Sequence, residues 1–195
     1  MSATETELEF ENTNRWETRQ IVTMALLAAI GVLLSFIEIP IMPGVPYLKY
    51  DPSAVPAMVS GFSFGPVAGV AVGIVTGLIH GLLTSNFWGT IMVFVCATAF
   101  VLPAALVYKK RRTFKSAVIG LVLGAVCMVA FAIVGNLLVT PLYSGVSVEA
   151  VMGMIVPVLL PFNILKSIVN AVLTLIVYKS VSNLLTPKKK QVQGR

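Results

Sequence analysis

The sequence predicts an all-α integral membrane protein of six transmembrane helices, with both termini inside and a structured external loop between helices 1 and 2. Three observations lead there. Of 195 residues, 57% are hydrophobic and only 11% are charged, under half the roughly 25% of a soluble domain. The apolar content matches about six spans of ~20 residues each, with little left for a separate soluble domain. Twelve of the 14 Lys and Arg residues fall in three places. These are Arg15 and Arg19, a central loop from Lys109 to Lys115, and the C-terminal stretch from Lys179 to Arg195. Basic loops stay on the cytoplasmic side of a membrane, and an even number of spans puts all three clusters there. The net charge of +6 thus reads as a topology signal that also suits anionic headgroups, and no nucleic-acid motif accompanies it.

The elements follow in order. Residues 1–19 form a cytoplasmic tail. Its acidic start, from Glu5 to Glu17, is the opposite of a secretory signal, so the first span is expected to be retained. The membrane domain covers 20–185, and a basic tail covers 186–195. Span 1 runs from about Gln20 to Ile37. Pro40, Pro43, Gly44 and Pro46 then enforce a loop. Asp51-Pro52 reads as a helix start, with Asp as N-cap and Pro in the first helical position. This opens a short span 2 that ends near Phe64. Gly65-Pro66 turns the chain into span 3, which reaches about Thr84. Asn86 to Gly89 is a loop at an interface, where Trp88 is favoured. Span 4 covers Thr90 to Tyr108, and span 5 runs from Ser116 to Val139. Thr140 to Ser147 is a turn. Pro157 and Pro161 divide the remaining apolar stretch into a short external helix and span 6, which ends near Asn183.

Three features inside the membrane bear on function. Gly65, Gly69, Gly73, Gly77 and Gly81 are each four apart and clear one face of span 3 for close helix packing. Ala25 and Ala29 make a shorter version on span 1, for internal packing or for a partner. Asn163, Lys166, Asn170 and Thr174 share one face of span 6. A polar stripe facing hydrocarbon costs several kcal/mol, so it should face a cavity or a partner; the alternative is that Lys166 snorkels to the headgroups while the amides bind helices together. Asn136 adds an amide at similar depth. Thr76 and His80 share a face of span 3, where a lone histidine is more often a packing residue than a ligand.

Other classes lack support. There is no GxxxxGK[ST] loop for ATP, no HExxH, GxSxG or paired carboxylates within a span, and no internal duplication. Cys96 and Cys127 have neither CxxC nor Cys/His spacing, so they read as packing residues without a metal or a disulfide. A small helical protein with a polar external cavity and no energy source fits a substrate-capture subunit.

The blocks Tyr47-Leu48-Lys49-Tyr50-Asp51-Pro52-Ser53, Phe62-Ser63-Phe64-Gly65-Pro66, Thr140-Pro141-Leu142-Tyr143-Ser144-Gly145 and Pro161-Phe162-Asn163-Ile164-Leu165-Lys166 resemble the riboflavin-specific S components of energy-coupling factor (ECF) transporters. The resemblance covers about Gln20 to Leu185. It implies a non-enzymatic subunit of a prokaryotic plasma membrane. Such a subunit binds riboflavin from outside beneath the loop between spans 1 and 2, then works with a transmembrane T subunit and two ATP-binding-cassette ATPases. Members of the family tip over in the membrane to deliver substrate. The resemblance makes Ala25 and Ala29 the T-subunit contact. It makes Asn136, Asn163, Lys166 and the loop Tyr47 to Asp51 the pocket. Thr76 and His80 stand where an amide or a longer polar group is expected. No cofactor is implied, since riboflavin is cargo, with FMN as a further candidate ligand.

The chemistry agrees. Asn carries a donor and an acceptor for the uracil-like edge of a flavin, and Lys166 can donate to a carbonyl or to the polyol tail. Tyr47 and Leu48 can pack on the ring. The alternatives are an S component for another vitamin, a membrane-embedded enzyme, or an assembly protein that binds no small molecule.

Overall fold

The computed structural model describes residues 16–45 and 48–185, and the side chains of 16–45 and 48–178. Most of the two predicted tails, together with Tyr47, lies outside the described residues. The elements are α1 (Thr18–Ser35), β1 (Ile39–Pro40), β2 (Lys49–Tyr50), α2 (Ala54–Phe64), α3 (Pro66–Thr84), α4 (Phe87–Lys110), α5 (Phe114–Ser144), α6 (Val148–Met154), a π-helical turn (Ile155–Leu159) and α7 (Leu160–Leu185). Five helical stretches are long and apolar enough to cross a membrane: α1, α3, α4, α5 and the continuous run Val148–Tyr178. The eleven residues of α2 span only about 16 Å at 1.5 Å per residue.

Local chemistry sets most boundaries. Gln20 Oε1 accepts the Glu17 N–H at 3.1 Å and anchors the start of α1. The proline-rich loop folds as a small antiparallel hairpin in which Ile39 pairs with Tyr50 and Pro40 with Lys49. Gly65, at φ +103°, turns the chain between α2 and α3 in a conformation that side chains disfavour. Pro66 follows at the first helical position of α3, where its missing N–H costs nothing.

Four sequence expectations need correction. Asp51 is not the N-cap of α2; that helix starts at Ala54 after Ser53, because the Asp51 carboxylate is held by Ser53 and Lys166 instead. Asn86 to Gly89 is not a loop. Asn86 caps α4, its Oδ1 accepting the Gly89 N–H at 2.9 Å, so the helix begins at Phe87. Thr140 to Ser144 is not a turn either: α5 continues through Pro141 and stops at Gly145, which has φ +68°. The run from Val148 to Leu185 is not divided by its prolines. The wider π turn around Pro157 accommodates the missing donor and the ring, so α6 and α7 join without a break.

Small residues decide how close the helices come. A Cβ on Gly69 would lie 2.6 Å from Gly61 Cα, so α2 and α3 touch backbone to backbone there. Gly73, Gly77 and Gly81 receive Ala97, Val93 and Thr90 of α4. Gly65 belongs to the turn, so four of the five glycines form the packing ladder. On α5, Gly120 and Gly124 lie against the carbonyls of Ala104 and Phe100, a pair the sequence reading passed over. Around these contacts Met58, Phe100, Leu121 and Met128 form the buried centre. Val22, Leu26, Ile30 and Leu33 leave an apolar outer face on α1, as a helix bordering lipid requires.

Candidate functional site

At the end of the bundle that carries the hairpin, the helices enclose a cavity of about 310 Å³. The hairpin segment contributes Leu48, Lys49 and Asp51, α3 contributes Thr76 and His80, α5 contributes Asn136, and α7 contributes Asn163 and Lys166. Of the predicted pocket residues that are described, all but Tyr50 of the loop therefore line one space. Ala25 and Ala29 do not: both are exposed on the outer face of α1, away from the core formed by Met24, Leu27 and Ala28.

The polar side chains are held partly within their own helices and partly across to a neighbouring element. Lys166 Nζ donates to Asp51 Oδ2 at 2.8 Å, and both side chains are less than one-fifth exposed. The other oxygen of Asp51 accepts the Ser53 N–H at 3.1 Å and the Ser53 hydroxyl. Burial pushes the Asp51 pKa up, but the neighbouring ammonium and these hydrogen bonds outweigh it, so the carboxyl sits below its usual range. One residue earlier, Tyr50 Oη donates to Asn170 Oδ1 at 3.2 Å. Burial, then the charge of Asp51, push that phenol up against the opposing pull of Lys166, so it stays a donor at neutral pH. Two consecutive residues of the hairpin segment are thus fastened to two successive turns of α7. The polar stripe of α7 splits accordingly, with Asn163 and Lys166 at the cavity and Asn170 and Thr174 fully buried beneath.

The amides are oriented by the helices that carry them. Asn163 Nδ2 donates to the Leu159 carbonyl at 2.8 Å, within the π turn, and its Oδ1 takes no hydrogen bond among the described residues. Asn136 Nδ2 donates to Ala132 O at 2.8 Å, and its Oδ1 accepts the Thr140 hydroxyl at 3.0 Å. Thr76 is engaged elsewhere, its hydroxyl donating to the Ala28 carbonyl at 3.3 Å beside Gly31. His80 packs edge-on against Phe36 with ring centres 5.2 Å apart. Its Nε2 is buried and makes no hydrogen bond among the described residues, 3.9 Å from Glu38 Oε1.

The sequence reading overlooked Glu38 as a wall residue. It pairs with Lys49, so among the described residues the four full charges around the cavity (Glu38, Lys49, Asp51 and Lys166) form two ion pairs. It also missed Cys96, Trp88 and Tyr143. Trp88 and Tyr143 are 55 positions apart in sequence, and no spacing rule pairs them. Among the described residues no group of three or more His, Cys, Asp or Glu is placed to hold a metal ion.

Comparison with known proteins gives a consistent picture. Residues 19–178 match the family model described as ECF transporter, substrate-specific component. The chain is 32% identical to the riboflavin transporter RibU of Staphylococcus aureus over 179 residues, covering 88% of this chain and 95% of that protein. It is 30% identical to the riboflavin transporter FmnP of Bacillus subtilis over 174 residues, covering 83% and 91%. A solved structure of the S component of a bacterial ECF transporter superposes with a TM-score of 0.75 at 33% identity, covering 87% of this chain and 98% of that one. A ThiT structure from Listeria monocytogenes superposes with a TM-score of 0.65 at 17% identity, covering 86% and 97%, and so shares the fold.

Proposed function

Because this chain belongs to the substrate-specific components of ECF transporters, we propose that it captures riboflavin from outside the cell in the cavity beneath the hairpin. The observation that carries this reading is the charge balance of the cavity. Among the described residues two acids and two bases line it, and each acid faces a base, which leaves a neutral polar wall for a neutral ligand. A cationic vitamin would need an unpaired carboxylate, and FMN would bring a phosphate to cations already engaged, so riboflavin is favoured over both. A volume of about 310 Å³ is at the lower end of the usual range for small-molecule sites.

In this reading Asn163 Oδ1 accepts a ring N–H of the flavin, and Lys166, held by Asp51, donates to a ring carbonyl or to the tail. Asn136 completes the polar end, and Leu48 and Tyr47 cover the ring. Lys49 and His80 stand at the wall, and Thr76 shapes it. The chain is a binding subunit with no catalytic step of its own, embedded in the bacterial plasma membrane through residues 20–185. It crosses six times, the short α2 being the second crossing, with residues 1–19 and 186–195 as cytoplasmic tails. The exposed Ala25 and Ala29 let a T subunit approach α1 closely, and two ATPase subunits supply the energy.

The test is a titration of the purified protein with riboflavin, FMN and thiamine, followed by flavin fluorescence and calorimetry. Saturable, stoichiometric riboflavin binding is expected, with weaker FMN and no thiamine. Folded protein that shows no saturable flavin binding overturns the reading.

A further inference from the structure

Trp88 lies in the first turn of α4 and Tyr143 in the last turn of α5, and both line the cavity. Their rings are near parallel, inclined by 22° with centres 6.3 Å apart, within the range of offset-stacked pairs. The Phe87 and Trp88 rings pack in a T-shaped arrangement with centres 5.4 Å apart. Tyr143 stands seven residues after Asn136. Two helical turns return it to the same face of α5, about 10 Å further along the axis. The cavity therefore has a polar end at Asn136, Asn163 and Lys166, and an aromatic rim two turns away. A planar three-ring system with hydrogen-bonding atoms at one end and methyl-bearing carbons at the other has the matching polarity and a comparable length.

We propose that the Trp88–Tyr143 stack is a ring-recognition site: it takes the apolar end of the flavin ring system against its aromatic surface and so selects planar aromatic ligands over non-planar ones of similar polarity. The proposal rests on the riboflavin reading and deepens it. Trp88 and Tyr143 join the ligand contacts, although no charge or amide marks them.

The experiment compares riboflavin with lumiflavin, which keeps the ring and lacks the polyol tail, on wild-type protein, Trp88→Leu, Tyr143→Leu and Trp88→Phe. Both leucine variants are expected to lose about tenfold in affinity for both ligands, whereas Trp88→Phe stays within about threefold. Wild-type affinity in both leucine variants overturns the proposal, as does a loss confined to riboflavin, which would mark a tail contact. A spectroscopic readout covers misfolding of the leucine variants. Stacking on an electron-rich indole quenches flavin emission, so Trp88→Phe should restore part of it, and unchanged quenching overturns the proposal. The other tryptophan, Trp16, precedes α1 and does not line the cavity, so Trp16→Phe is the matched control. Wild-type protein that binds neither flavin would instead fail the functional reading itself, which separates the two outcomes.

Discussion

Lys166 Nζ and Asp51 Oδ2 are 2.8 Å apart across 115 positions of sequence, and this ion pair joins the hairpin segment to α7. Removing one partner leaves a largely buried charge uncompensated, a loss on the order of 3–5 kcal/mol in a fully buried site and less where water retains access. Asp51→Ala and Lys166→Met are each expected to lower the thermal midpoint in detergent. The double variant should recover part of the loss, with a coupling of roughly 1–3 kcal/mol. Thermal unfolding across the four-member cycle checks this, and strict additivity would show that the pair contributes no coupling.

The same pair sets a pH limit. The Asp51 carboxyl lies below its usual range in the folded protein. Its contribution is therefore fully present above the unfolded carboxylate pKa of about 3.9 and is lost as pH falls through the lower folded value. Stability should show no Asp51-dependent change between about pH 5 and 8 and should decline on strong acidification. Asp51→Asn should remove that component of the acid limb. Thermal midpoints measured from pH 3 to 8 on both proteins decide it.

Asn163 uses Nδ2 within its own helix and has Oδ1 unused among the described residues. Asn163→Ala is expected to weaken riboflavin binding by about 1–3 kcal/mol, the cost of stranding a buried polar partner. Asn163→Asp should also weaken binding, because it places a third acid among two balanced pairs. Fluorescence titration measures both, and an unchanged affinity in Asn163→Ala would move the polar end of the site elsewhere.

Gly69 faces backbone on two sides, Gly61 Cα at 2.6 Å and the Ala57 carbonyl at 2.8 Å from a Cβ placed on it. Gly69→Leu must separate α2 from α3 and should destabilise the fold by at least about 1–3 kcal/mol. Gly153 of α6 has nothing within 4 Å of such a Cβ and no positive φ, so Gly153→Ala should be neutral or stabilising by up to ~1 kcal/mol. Thermal midpoints of the two variants check the contrast.

Ala25 and Ala29 lie on the outer face of α1 and do not line the cavity. Ala25→Trp with Ala29→Trp should leave flavin affinity unchanged and abolish uptake in cells that carry the T and ATPase subunits. Binding and uptake measured side by side test this, and normal uptake would place the docking surface elsewhere.

Most of the helical layout was legible because its signals are local. Pro66 and the basic segment after Tyr108 mark helix ends whatever surrounds them. The misreadings fell where a local signal met a tertiary partner. Asp51-Pro52 has the form of a helix cap, but Lys166 and Ser53 occupy its carboxylate. Pro141, Pro157 and Pro161 are breakers in isolation, yet a helix packed within a bundle, or one with a π turn to absorb the ring, runs through them. The polar stripe of α7 was visible as a period. Its division into two cavity residues and two buried ones depends on where the hairpin lands.

By itself the sequence determined that the chain lives in a membrane and which few polar residues stand among its apolar spans, because the cost of placing a charge or an amide in hydrocarbon belongs to each residue separately. Only the tertiary structure decided which charges neutralise one another. Lys166 could have snorkelled, Lys49 and Glu38 could have stayed apart, and Trp88 could have been an interface anchor. The hairpin folding onto α7 and the glycine-mediated approach of α3, α4 and α5 bring these groups within reach, and coulombic and stacking interactions are set by distances that no sequence spacing contains.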